Sequence, residues 1–249
     1  MPGNGDHRDA AVPHAEKENW DRKYREHGMQ WGESPSVLRG PACSWLSEYY
    51  PRGSTPRIVD LGCGYGRDSL VLAGIPGTTV TGIDSSPSAI GIARGRAEAA
   101  GIPNIEFICC DFFEVRDIRA DILYCCNIYH LLCPDERAGF CRLVDRILLP
   151  GGLFFMSTLS VRDPEHFGKG EPVEGEENTY VFPKENMYLH FCTREELEHA
   201  FSFLEIREIR EIEYIENREQ GDHHHVSCIL VAGRDPGNSR HKAAMHNSL

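Results

Sequence analysis

The order of segments along the chain predicts an α/β fold: a doubly wound sheet, mostly parallel, with its last strand antiparallel. Three observations carry this. Short runs of β-branched residues alternate with helical segments between residues 57 and 159, and strands joined through helices run parallel because each crossover returns the chain in the same direction. The first of those runs ends in a cluster of glycines, the mark of a buried strand feeding a tight turn. Further on, two strand-like runs flank one polar turn at Gln220-Gly221-Asp222, which reverses the final strand.

Residues 1–17, rich in Gly, Pro, His and charge, read as a loose tail. An amphipathic segment follows with Trp20, Tyr24 and Trp31, aromatics that either cover a sheet edge or form a lid over a ligand. Arg57–Leu61 is the first strand, and a helix runs from Asp68 to Ala73. Thr79–Asp84 is the second strand; Ser85-Ser86-Pro87-Ser88 then supplies an N-cap serine and a first-turn proline for a helix through Ala100. Ile105–Cys110 and Asp121–Asn127 are the third and fourth strands, Pro134–Leu149 a helix, and Leu153–Leu159 the fifth strand after the Pro150-Gly151-Gly152 turn. The charged insert from Arg162 to His190 reads as an exposed loop over a substrate pocket, since long connections in compact domains are often functional. Leu204–Ile215 and Val226–Ala232 form the hairpin, and a second tail starts at Asp235. Residues 18–234 therefore make one domain.

The formal charge of −12 argues against a nucleic-acid partner, because backbone-binding surfaces gather Lys and Arg. No apolar run reaches the roughly 18–20 residues that cross a bilayer, and the first residues lack a basic-then-apolar leader, so no membrane is expected and the setting reads as cytoplasmic. The ten cysteines sit mostly in apolar stretches with no C-x-x-C pair and read as buried small hydrophobes. His223-His224-His225 places two imidazoles on one strand face, yet a turn-adjacent histidine run is ordinarily solvated and no carboxylate or cysteine stands at matching spacing, so no metal is expected. Oligomeric state is not legible.

The strongest signal is Val59-Asp60-Leu61-Gly62-Cys63-Gly64-Tyr65-Gly66-Arg67-Asp68. Glycine at 62, 64 and 66 opens dihedrals closed to other residues and lets a ligand approach the backbone. Asp84, about 20 residues on at the end of the second strand, can hold ribose hydroxyls, and Asp111-Phe112 at the end of the third can meet an adenine. A dinucleotide site would need glycine where Arg67 stands, and Asp60 would oppose a pyrophosphate but favour an ammonium and a sulfonium.

Residues 60–66 resemble motif I of the Rossmann-like S-adenosylmethionine-dependent methyltransferases, Asp84 their ribose acid, Asp111-Phe112 their adenine-side pair, and Leu149-Pro150-Gly151-Gly152-Leu153 the turn before their fifth strand. The resemblance implies a seven-stranded sheet and S-adenosyl-L-methionine bound by Asp60, Gly62, Cys63, Gly64, Gly66, Asp84, Ser85, Asp111, Phe112 and Asn127, with Tyr24 and Trp31 beside the sulfonium. It implies direct methyl displacement onto a small-molecule acceptor, a thiol, chalcogen oxyanion, oxygen or amine, with Tyr129 and His130 nearest the acceptor and His130 or His190 as base. Trp20 to Tyr24, Trp31-Gly32, Gly66 to Leu70 and Phe191 to Leu197 are similar to the tellurite-resistance and thiopurine-like members. The prolines of the family's planar-nitrogen enzymes are missing after Asn127, which removes the marker for base-amine methylation. The alternatives are a non-catalytic S-adenosylmethionine-binding protein and a dinucleotide-dependent oxidoreductase.

Overall fold

The computed structural model describes residues 17–29, 31–50, 53–218 and 221–237. The two expected tails lie largely outside the described residues.

Five strands, β1 (Arg57–Leu61), β2 (Thr79–Asp84), β3 (Ile105–Cys109), β4 (Ala120–Cys126) and β5 (Leu148–Leu159), alternate with helices α3 (Ser69–Ala73), α4 (Pro87–Ala99) and α5 (Pro134–Ile147). With the hairpin arms β9 (Glu205–Arg218) and β10 (Gly221–Gly233) they form one seven-stranded sheet in the order β3-β2-β1-β4-β5-β10-β9. The first five pair in parallel, and β10 runs antiparallel to both β5 and β9. The expected alternation and reversed final strand are both present.

The period of two along each strand splits the apolar residues between two layers. Val59, Leu61, Leu123, Cys125, Phe154 and Met156 face α5 and pack on Phe140, Val144 and Phe201. Ile58, Ile122, Tyr124, Phe155 and Ile229 face the other way, onto Leu38, Leu46 and Leu72. Each such side chain, fully buried, contributes roughly 1.5–3 kcal/mol. At the start of α4 the Ser86 hydroxyl accepts the Ala89 N–H (3.1 Å) with Pro87 in the first turn, as the sequence predicts. Cys63, Cys125, Cys192 and Cys228 are buried, whereas Cys109 is exposed, because the edge strand β3 turns it outward.

Several elements differ from the sequence reading. The insert is not a plain loop: β6 (Glu171–Pro172), β7 (Thr179–Phe182) and β8 (Met187–His190) make a small antiparallel sheet. Its strand-forming residues are Thr179-Tyr180-Val181-Phe182 and Met187-Tyr188-Leu189, with Asn186 turned to φ 48° between the strands; charge averaged over the segment hides them. Helix α1 (Lys17–His27) lies ahead of α2 (Arg39–Tyr49). Pro41 stands in the first turn of α2, where a proline gives up only an N–H that has no helical partner. Helix α6 (Arg194–Ala200) is capped by the Thr193 hydroxyl, which accepts the Glu196 N–H (3.1 Å). β5 begins at Leu148, and its pairing with β4 shifts register across the Pro150-Gly151-Gly152 turn.

Candidate functional site

The loops after β1, β2, β3 and β4 meet at the carboxyl ends of the strands, where open α/β sheets bind ligands, and there they wall a cavity of about 1350 Å³. At the first loop the N–H groups of Gly62 and Cys63 both donate to the Ile83 carbonyl (2.8 and 3.0 Å), which pins the turn to β2. Gly62 and Gly64 hold φ of 71° and 53°, and both are closed to a side chain. A Cβ on Gly62 would lie 2.3 Å from Ile128 Cδ1, and one on Gly64 2.7 Å from Tyr24 Oη. What crowds Gly64 is therefore a residue of α1.

Asp84 spans the first two loops. Its Oδ2 accepts the Gly64 N–H (2.8 Å) and its Oδ1 the Ser86 N–H (2.9 Å), and burial raises its carboxyl above the usual range against the lowering effect of those two donors. Because both oxygens face backbone donors, Asp84→Asn would turn an amide NH2 toward one of them, so asparagine is a poor substitute. Asp60 is buried; Ser69 donates to it (2.5 Å), and burial raises its carboxyl from 3.8 to about 8, with Asp68 and Asp84 adding repulsion. Ser85, Asp111, Phe112 and Asn127 line the same cavity. Asp111 Oδ1 accepts the Phe113 N–H (2.9 Å), and Asn127, at φ 58°, accepts from the Ser157 hydroxyl (3.1 Å).

An aromatic wall closes one side. Trp31 stacks on Tyr65 (6.3 Å between centroids, 14° between planes), and Tyr24 meets both rings edge-on. Tyr24 and Trp31 line the cavity, while Asp21 ties α1 to α4 by accepting the Ser86 O–H (2.8 Å) and the Ser88 N–H (2.9 Å). No local signal in the sequence gives Tyr65 or Asp21 these roles: Tyr65 lies inside the glycine motif, and the role of Asp21 depends on its tertiary contact with α4.

The expected acceptor-side residues separate. Tyr129 is in the core against Phe140 and Phe201 (5.8 and 5.7 Å), and burial pushes its hydroxyl up. His130 is buried at the cavity wall, and desolvation pushes its imidazole down to about 3. His190 is not among the residues that line the cavity; its Nδ1 meets Thr179 Oγ1 (2.8 Å) and its Nε2 Glu196 Oε1 (2.7 Å). The histidine run is not a solvated stretch. His224 is exposed, but His225 is buried and His223 half-buried, and both join His130 and His166 on the cavity wall. Of the carboxylates that face this group, Glu216 stands opposite His223 in the hairpin, whereas Asp163 and Glu165 lie beside His166 after β5 and some sixty residues before the histidine run.

Residues 58–152 match the family described as "Methyltransferase domain". A ubiquinone biosynthesis O-methyltransferase from Methylobacterium sp. is 33% identical over 109 residues, 41% of this chain and 41% of that protein. A 23S rRNA (uracil(1939)-C(5))-methyltransferase from Shewanella amazonensis is 32% identical over 108 residues, 43% of this chain and 23% of its own length. The chain thus matches about two fifths, at 41%, of the length of the first of these relatives. Among solved structures, TehB from Haemophilus influenzae superposes with a TM-score of 0.60 at 16% identity, over 87% of this chain and 67% of that one. The 1,6-didemethyltoxoflavin-N1-methyltransferase of Burkholderia thailandensis, solved with 1,6-didemethyltoxoflavin and S-adenosylhomocysteine, gives 0.62 at 18% identity, over 94% and 92%.

Proposed function

We propose that this chain, whose residues 58–152 match the methyltransferase-domain family, moves a methyl group from S-adenosylmethionine to a small-molecule nucleophile. The observation that carries the proposal is the large cavity at the strand ends. It has the glycine turn, Asp84, Asp111 and Phe112 on its wall together with His130, His166 and His225. At about 1350 Å³ it exceeds the roughly 300–1,000 Å³ of an ordinary small-molecule pocket and has room for a nucleoside-sized group beside an acceptor.

The residues present fit the cofactor. Asp84 would accept the ribose hydroxyls on the lone pairs that its two backbone donors leave, and Asp111 and Phe112 would meet the adenine; Asp60, whose carboxyl burial raises to about 8, would pair with an ammonium only on losing its proton. When bound, S-adenosylmethionine supplies a methyl group already activated by a positive sulfur. The chain's task is then to align the acceptor and exclude water, which Tyr24 and Trp31 do along the aromatic wall. His130, neutral near pH 7 because its imidazole is pushed down to about 3, orients an acceptor and is a weak base. The charge of −12 favours a small acceptor over RNA.

Calorimetry with adenosylhomocysteine tests this. Two charge-assisted bonds of roughly 1.5–3 kcal/mol each predict that Asp84→Ala loses on the order of 100-fold or more in affinity. Wild-type affinity in Asp84→Ala, or the same dependence for NAD, would overturn the assignment. A labelled-methyl screen against thiols, phenols, chalcogen oxyanions, amines and RNA then reads the acceptor; binding without transfer to any of them would leave a non-catalytic binder.

A further inference from the structure

The geometry points to a divalent transition-metal site formed by His166 and His225 in the wall of the cavity and by Asp163 buried behind it, with an open coordination position toward the cavity. Only the description of that space as the acceptor's rests on the methyl-transfer reading.

One donor atom from each of these three residues lies within 4.8 Å of the other two. Asp163 is buried in the turn after β5 and held from several sides: Oδ1 accepts the N–H groups of Glu165 (3.1 Å) and His166 (2.9 Å), and Oδ2 accepts that of Val226 (3.1 Å). The same Oδ2 faces His225 Nδ1 at 3.0 Å, and the His166 ring stacks on that of His225 (5.5 Å, 6°). Metal–ligand bonds of roughly 2.0–2.2 Å in a tetrahedral shell require donors about 3.3 Å apart, so binding draws the rings inward. His166, whose side chain is 20% exposed and which sits on the insert, is the residue placed to move.

The second observation concerns unsatisfied polar atoms. Among the described residues four buried side-chain atoms lack a hydrogen-bond partner, and three are imidazole nitrogens of this wall: Nδ1 of His130, of His166 (3.6 Å from Asp163 Oδ1) and of His223 (3.3 Å from Glu165 Oε1). A buried polar atom left unpaired is costly, and an ion held by Asp163, His166 and His225 would give His166 a partner. Two imidazoles and a carboxylate suit zinc and its first-row neighbours. Three protein ligands, not four, is the arrangement that leaves a position for a substrate. An ion there lowers the pKa of a hydroxyl or thiol that binds to it, so that the proton passes to water and the deprotonated oxygen or sulfur faces the cavity. Among the described residues a second group, His190, Cys192 and Glu196, is the weaker candidate because none of its three residues lines the cavity and none has an unsatisfied polar atom.

The test uses the full chain without a polyhistidine tag, stripped of metal, and titrated with Zn²⁺ against a chromophoric chelator. One equivalent should bind per chain. His166→Ala and His225→Ala should each weaken binding by more than the roughly 10- to 100-fold that loss of an outer-shell partner costs, while His190→Gln leaves it unchanged. Circular dichroism and adenosylhomocysteine calorimetry on each variant separate lost ligation from lost fold. Absence of stoichiometric zinc in folded protein that still binds adenosylhomocysteine would overturn the metal site and leave the methyl-transfer reading standing. Zinc binding that survives His166→Ala, or that falls only with His190→Gln, would overturn it as well. Zinc bound through His166 and His225 without adenosylhomocysteine binding would support the site and reject the cofactor reading.

Discussion

At the scale of single residues, the acids around the glycine turn carry the most information, and they behave differently from one another. Asp60 ionises at 3.8 in its ordinary setting and at about 8 when folded, so between those values the folded chain keeps a proton that the unfolded chain releases. Its contribution to stability is full below pH 3.8 and is lost as pH rises through about 8. The melting temperature is therefore expected to fall from about pH 4 and to level off above about pH 8, and Asp60→Asn, which keeps an acceptor for Ser69, should flatten that decline; an unchanged slope in thermal melts would contradict it. Asp68 teaches a different lesson. From sequence it serves the first turn of a helix, yet in the fold it makes no cap and instead accepts the Ser36 N–H (2.8 Å), the Ser36 O–H (2.5 Å) and the Tyr124 O–H (2.9 Å). The Gly62, Gly64 and Asp84 geometry was legible because it depends on a strand end and the turn beside it. The Asp68 clamp and the Asp163–His225 contact were not, because their partners are brought together by loops that leave no local pattern.

At the scale of elements, helix α1 is the piece whose placement changes the reading of the motif. Its Tyr24 hydroxyl occupies the space where a Gly64 side chain would go, so a substitution there strains the α1 contact as well as the turn. Gly64→Ala should destabilise the fold, and Tyr24→Phe, which removes the oxygen 2.7 Å away and leaves Cζ at 3.5 Å, should recover part of the loss. Coupling of about 0.5–3 kcal/mol in a double-mutant cycle by urea denaturation is the expected result; strict additivity would mean that the positive φ alone sets the cost. The small β6-β7-β8 sheet was illegible for a compositional reason. Its glutamates dominate the segment average, while Tyr188 and Leu189, which bury it against the domain, are only two residues of a long insert.

At the scale of the whole molecule, alternation along the chain made the sheet readable, and the hairpin turn made its reversed strand readable. Register and strand order needed the coordinates. β10 does not add to an outer edge; it slots between β5 and β9, and its residues Val226–Gly233 are buried. During synthesis, β5 and its buried run Leu153–Leu159 emerge some sixty residues before the strand that covers them. The nascent chain thus presents an unpaired apolar edge, a template for association with another copy, until residues 221–233 leave the ribosome. A chain stopped at residue 220 should pellet as aggregate at concentrations where the full chain stays dispersed, and a dispersed, folded product in sedimentation would show that β9 can seal β5 unaided. The strand that completes the sheet is also the one that carries His225 to the cavity, so release from the hazard of aggregation and assembly of the histidine wall are a single event in the life of the chain.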